Sequence, residues 1–470
     1  MLQTRYSNRG MMVAPHHLAA QAGRDVLAES GSAIEAMVAA AATIAVVYPH
    51  MNSIGGDGFW LIHRPGQAPL AIDACGQAAA LATRDFYAGC DAIPTRGPQA
   101  ALTSAGTISG WAAALRIAAS DGKTLPLSRL LSPAITHARD GIRVTRSQYA
   151  LTTGKQTELE NVHGFADAFM PGGTVPAVGS LLKLPTLANS FEHLARHGLD
   201  DFYRGELAGA MADELQRLGS PLRREDLAST HAAQVTPLQV RLRQATVYNL
   251  PPPTQGLASL LILGIFDKLG VQEADGFAHL HGLVESTKQA FMIRDRVVTD
   301  PARVPEPPAG FLHDDSLAAL SAAIDQQHAL PWPQPAQPGD TVWMGCIDKN
   351  GCAVSFIQSI YWEFGSGVVL RDTGINWQNR GISFSLEPSA LQALEPGRKP
   401  FHTLNPALAV FDDGRVMSYG TMGGEGQPQT QAMIFARHVL HGTPLQAAIT
   451  APRWLLGRTW GAAETNLKIE

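Results

Sequence analysis

No run of this 470-residue sequence approaches the roughly 20 consecutive apolar residues that a membrane-spanning helix requires. The most apolar stretch, residues 36–47, falls well short of that. The first ten residues, MLQTRYSNRG, lack the apolar centre of a secretory signal. Cysteine is scarce: Cys75, Cys90, Cys346 and Cys352 are the only four, and no pair has C-x-x-C spacing. That excludes a disulfide scaffold and gives no sign of a zinc or thiol-redox motif. There is no Lys/Arg run, and the formal net charge is -5, which argues against nucleic acid and anionic membranes as partners. Charged residues make up only 16% against 45% hydrophobic, enough for a large core. The expectation is a soluble, cytoplasmic globular protein.

Residues 15–29 read as a first helix closed by Gly31. Ser32 and Glu35 have capping-box spacing and open a second helix, Ala33–Val47, apolar on all faces and therefore internal. Three hairpins follow from turn chemistry between apolar runs. Residues 59–63 and 70–75 flank Pro65-Gly66-Gln67. Val342–Asp348 and residues 352–359 flank Lys349-Asn350-Gly351. Ala407–Phe411 and Val416–Tyr419 flank Asp412-Asp413-Gly414. Residues 100–300 read as mostly helical. Helices thus bracket sheets at both ends, which fits a layered αββα arrangement. Residues 301–340 hold eight prolines and read as an exposed connection with one helical insert at 316–329. The connection ends at Gly339-Asp340-Thr341, where a buried strand begins.

Thr341 is the candidate with the most chemistry. One reading is a threonine at a strand edge. The other is self-cleavage: the hydroxyl attacks the carbonyl of Asp340, the ester hydrolyses, and Thr341 gains a free α-amine. Such an amine has a pKa of about 7.7–8.0, close to ideal for a general base at neutral pH. One residue then supplies both nucleophile and base, with no metal or organic cofactor.

Six blocks in order give the chain a resemblance to the γ-glutamyltranspeptidase family of Ntn-hydrolases. They are GSAIEAMVAAAATIAVVYPHMNSIGGDGFW, AGTISGW, PPPTQGL, HGLVESTKQAFMIRDR, TVWMGCIDKNGCAVSFIQS and TMGGEG. The resemblance implies an α+β, four-layer αββα sandwich. It implies cleavage between Asp340 and Thr341 into a large fragment, residues 1–340, and a small one, residues 341–470. The two would interleave as a heterodimer, with room for pairing into a larger oligomer. It also implies Thr341 as nucleophile, Gly423 and Gly424 as backbone donors to the oxyanion, and Ser359 as a hydroxyl orienting Thr341. Gly55-Gly56-Asp57-Gly58 is no dinucleotide fingerprint, because it follows a helix with the wrong spacing.

The sequence departs from the family where γ-glutamyl enzymes hold an amino-acid head group. Cys75 stands at the position of a carboxylate-binding arginine, His402 and Thr403 replace two serines, and Ser383 replaces an acid. Tyr361 stands where an asparagine is usual, Asn379 is retained, and Arg380 replaces a glutamine. An unpaired zwitterion in a closed site costs several kcal/mol. Tyr361, Trp362 and Trp377 add bulk, while Arg380, Arg398 and His402 offer positive charge. The segments YWEFGSG and NWQNRG resemble the oxamate amidohydrolase branch, which acts in purine-derived nitrogen catabolism. The expected substrate is a small carboxylate-bearing amide. The alternatives are a glutathione hydrolase or γ-glutamyltransferase and, in another class, an unprocessed relative that only binds a ligand. The expected small fragment is shorter than usual for the family, which leaves completion of its sheet open.

Overall fold

The two-residue period of residues 57–63 decides which way the central sheet faces. Phe59 and Leu61 point to one side and pack with Ile357, Leu404 and Leu408. Trp60 and Ile62 point to the other and join the cluster that contains Met37, Val38 and Ala41 of helix Ala33–Val47. A sheet buried on both faces needs a layer on each side, and the chain supplies both. The computed structural model describes residues 2–122, 124–332, 341–457 and 466–470. Asp340 and residues 333–339 of the proline-rich connection lie outside the described residues.

The strands are β1 (Gly10–Val13), β2 (Asp57–His63), β3 (Leu70–Ala74), β4 (Ile142–Arg143), β5 (Leu181–Leu182), β6 (Ala233–Val235), β7 (Leu238–Arg241), β8 (Ala245–Asn249), β9 (Val342–Asp348), β10 (Ala353–Ser359), β11 (Ala407–Phe411), β12 (Val416–Tyr419), β13 (Trp454–Leu456) and β14 (Leu467–Ile469). One sheet has the order β1-β9-β10-β2-β3-β6 and a second has β12-β11-β8-β7, while β4-β5 and β13-β14 form small pairs. Leu408 faces the first sheet, and its neighbours Ala407 and Ala409 face helix Gly256–Leu269. The result is the αββα sandwich of an Ntn-hydrolase. Strands from either side of residue 341 alternate, with β9 and β10 between β1 and β2.

Helix Ala33–Val47 is buried along its whole length, and the Ser32–Glu35 capping box is formed. Its first turn is tied to the β9–β10 hairpin, where Ala33 N–H donates to Asp348 Oδ2 at 3.0 Å. The three expected hairpins are present. Two expectations need correction. Residues 233–249, inside the stretch 100–300 expected to be mostly helical, form β6, β7 and β8, and burial alternates along β7 and β8 with the pleat. The insert expected at 316–329 is a helix over Asp314–Ala322 only. It stops before Asp325, whose carboxylate accepts the N–H groups of Gln327 and His328 at 2.8 and 3.0 Å in a local turn. Among the described residues no helix is long and apolar enough to cross a membrane.

Candidate active site

Thr341 directly precedes β9 and is fully buried. Val342 pairs with Gln358, so one further step of that register sets Thr341 across from Ser359. Ser359 ends β10 and accepts Tyr361 N–H at 2.8 Å through its hydroxyl oxygen. Gly56 lies against this point, where a Cβ would stand 2.2 Å from the Ser359 carbonyl oxygen. Only glycine allows that approach.

Beyond Ser359 the chain enters the left-handed region at Tyr361, φ +80°, which a non-glycine residue rarely adopts. That turn lays the Tyr361 ring against Arg380, whose guanidinium carbon is 3.6 Å from the ring centroid. Arg380 is 1% exposed. Its Nη1 makes a long 3.5 Å contact with the Phe401 carbonyl, and its Nε and Nη2 have no protein partner. Burial pushes this guanidinium below its ordinary pKa, while Tyr361, Asp57 and Cys75 act in the opposite direction. An arginine with idle donors in a closed interior is costly unless an anion completes it.

His402 lies beside it, 1% exposed, with Nε2 3.1 Å from Asp57 Oδ2. Burial first, then the Arg380 charge, lowers its pKa to about 4. The expectation that His402 supplies positive charge is therefore corrected: at neutral pH it is an uncharged ring. Its Nε2–H faces the Asp57 carboxylate, which leaves Nδ1 as an acceptor, and that atom has no protein partner. Thr403 Oγ1 is likewise buried and unpartnered. Arg398 does not join this group; it donates to the carbonyls of Ala393 and Leu391 and to the Thr299 hydroxyl. Asn379 spends both ends of its amide on backbone, at Trp362 N–H and the Thr95 carbonyl. Trp377 is a core side chain bonded to the Thr103 carbonyl.

Asp57, at the start of β2, organises this wall. Its Oδ1 accepts Gly76 N–H and Gly106 N–H, each at 2.9 Å, while Oδ2 faces His402. Asp57, Cys75 and His402 each place a potential ligand atom within 4.8 Å of the others. Electrostatics oppose a cation there, because Arg380 and Lys399 act on both Cys75 and His402. Burial also pushes the Cys75 thiol well up.

The glycine turn approaches from β12. Gly420 crosses the ring of Trp343, two residues after Thr341, so closely that a Cβ would stand 2.3 Å from Cδ1. Gly423 and Gly424 follow with φ +108° and +51°, and helix Gly426–Phe435 begins just beyond. A cleft of about 700 Å³ runs past Arg294, Ser383, Phe401 and Glu425 to the surface.

A family model, Gamma-glutamyltranspeptidase, matches residues 19–470. The chain belongs to the γ-glutamyltranspeptidase family. It is thus an autoprocessing amidohydrolase of the kind that works through an acyl-threonine ester. The oxamate amidohydrolase proenzyme of Klebsiella pneumoniae is 55% identical, over 100% of this chain and 89% of that protein. The glutathione hydrolase-like YwrD proenzyme of Bacillus subtilis is 38% identical, over 98% of this chain and 87% of that protein. Among solved structures, a cephalosporin acylase from Bacillus halodurans superposes with a TM-score of 0.88 at 32% identity, covering 97% of this chain and 86% of that one. The γ-glutamyltranspeptidase of Pseudomonas nitroreducens gives 0.61 at 26% identity, over 69% of this chain and 97% of that one.

Within the γ-glutamyltranspeptidase family frame, two residues at this site escaped the sequence reading. Asp57 was visible only as part of Gly-Gly-Asp-Gly, and Gln255 only as part of PPPTQGL. Their partners lie far away in the chain, so no local pattern marks them.

Proposed function

We propose that this protein hydrolyses a small amide that carries a carboxylate next to the reacting carbonyl, with oxamate as the reference substrate. The observation that carries this reading is Arg380, buried with two nitrogens unsatisfied. A planar guanidinium with idle donors suits a carboxylate, and no acid is needed for an ammonium. The likeness to an oxamate amidohydrolase proenzyme supports it.

Self-cleavage before Thr341 yields fragments 1–340 and 341–470 and a free α-amine. The amine takes the proton from the Thr341 hydroxyl as its oxygen attacks the amide carbon. Gly423 and Gly424 N–H groups stabilise the oxyanion, with donors already in place worth about 10²–10³ in rate each. The tetrahedral species expels ammonia, protonated by the same amine, and water then hydrolyses the ester. Oxamate and water become oxalate and ammonium. Ser359 orients Thr341, and Thr403 and Cys75 line the pocket with Asn379 behind them. The neutral His402 offers Nδ1 to the substrate amide N–H. A cytoplasmic role in purine-derived nitrogen catabolism goes with this substrate.

Relatives named for glutathione hydrolysis favour a second reading in which the acyl group is γ-glutamyl. Ammonia release from oxamate, set against p-nitroaniline release from γ-glutamyl-p-nitroanilide, decides between them. Turnover of the second compound alone would overturn the proposal.

A further inference from the structure

Gln255 opens helix Gly256–Leu269 and is completely buried. Its Nε2 donates to the carbonyls of Thr403 at 2.6 Å and Gly424 at 2.8 Å. Its Oε1 accepts Arg294 Nη1 at 3.2 Å, and its backbone N–H donates to the His402 carbonyl at 2.9 Å. Arg294 in turn holds Glu425 at 3.0 Å through Nη2, on the next residue of the glycine turn. One amide therefore joins the loop carrying His402 and Thr403 to the turn carrying Gly423 and Gly424.

The two tethers are unequal. The 402–403 loop has other anchors: His402 N–H donates to the Pro253 carbonyl at 2.8 Å, and its ring is held by Asp57. The Gly424 carbonyl has otherwise a long 3.3 Å contact from Gln427 N–H. Both glycines have positive φ, the Cβ position of Gly423 has nothing within 4 Å, and the Gly423 carbonyl is held by Gly426 N–H at 2.8 Å. A backbone free of side-chain packing keeps its orientation only through its hydrogen bonds.

We propose that Gln255 is a positioning residue for the oxyanion, fixing the 424–425 peptide and through it the Gly424 end of the turn against the substrate loop. The inference rests on the reading of that turn as the oxyanion site. A buried apolar side chain at 255 would leave the Thr403 carbonyl with only the Asn405 amide, the Gly424 carbonyl with only the long Gln427 contact, and Arg294 with only its carboxylate partners. The helix N-terminus would also lose the Nε2 bond that links it to the turn.

The test is Gln255→Glu, which removes both donors and keeps an acceptor for Arg294, with Gly423→Ala in parallel. Turnover is normalised to the amount of fragment beginning at Thr341. For Gln255→Glu, kcat falls about 10–100-fold while KM moves by less than about threefold. Affinity for a carboxylate-bearing boronic acid, which forms a tetrahedral adduct with the Thr341 oxygen, falls with kcat. The inhibition constant of oxalate stays put. Equal losses for both inhibitors together with a lowered Tm would assign Gln255 a structural role only and overturn the inference. Full kcat in Gln255→Glu beside a crippled Gly423→Ala would remove the tie and leave the oxyanion site standing. Full kcat in both would remove the oxyanion assignment itself.

Discussion

The guanidinium carbon of Arg380 lies 3.6 Å from the centre of the Tyr361 ring. The ring reaches that place through a backbone conformation, φ +80°, that costs on the order of 1–3 kcal/mol for a non-glycine residue. Strain and an unsatisfied buried cation in contact suggest a site shaped for an anion at the expense of stability. Arg380→Met is expected to lower kcat/KM for oxamate by about 10²-fold or more, the loss of a buried charge-assisted pair. The same change is expected to raise the Tm of the ligand-free protein, because it removes a desolvated charge that has no carboxylate beside it and two idle nitrogens. Steady-state kinetics and a thermal melt check the two halves. A variant that loses both activity and stability would contradict the proposed clamp.

Asp57 joins three segments through one carboxylate. Asp57→Asn keeps an acceptor for Gly76 and Gly106 N–H but turns an N–H₂ toward His402. The ring must then offer Nε2 as acceptor and carry its proton on Nδ1, the atom proposed to meet the substrate amide. The variant is expected to fold, and KM for oxamate to rise about tenfold, the effect of one lost hydrogen bond. Nitrogen chemical shifts of the His402 ring read the tautomer directly. An unchanged tautomer with a raised KM would separate the two effects.

Several buried histidines are held uncharged. Burial lowers His402, His279 and His16 to about 4 and His50 to about 3, from an ordinary 6.5. A depressed folded-state pKa means that the unfolded chain binds the proton first. Stability is therefore complete above pH 6.5 and is lost as pH falls toward 4. The fully buried His402 and His50 each contribute at most about 3 kcal/mol across that window, and the others less. The urea midpoint should start to fall near pH 6, before most carboxylates titrate. A midpoint flat down to pH 4.5 would contradict this.

Lys288 and Glu285 form a buried pair at 2.6 Å on helix Phe277–Val297. Together they hold both backbone groups of Leu330: Glu285 Oε2 accepts its N–H at 3.1 Å and Lys288 Nζ donates to its carbonyl at 2.5 Å. Lys288→Met strands the carboxylate and is expected to cost about 3–5 kcal/mol. Adding Glu285→Leu should recover part of that loss. Urea denaturation of the single and double variants measures the coupling.

Much of the fold was legible because its signals are local. The capping box of Ser32 and Glu35, the Asn350-Gly351 turn and the Asp412-Asp413-Gly414 turn after the apolar run 407–411 each fix an element within a few residues. The strands within the mostly helical stretch 100–300 carry no such signal, because β6 to β8 are only 3, 4 and 5 residues long, too short to display a period against the helices around them. The site divides in the same way. Thr341, Gly423 and Gly424 sit in recognisable blocks. The partners of Asp57 and Gln255 lie up to 345 and 169 positions away, and only folding brings them together. Charge was legible only as identity. Burial, which no spacing reveals, leaves His402 neutral and Arg398 occupied.

The central claim is that Thr341 becomes an N-terminal nucleophile. N-terminal sequencing and intact mass of wild type and Thr341→Ala, combined with ammonia release from oxamate, test it most directly. Wild type should yield a fragment whose first residue is Thr341 and should release ammonia. The alanine variant should stay a single 50.1 kDa chain and release none. A variant that matures and turns over like wild type would contradict the account.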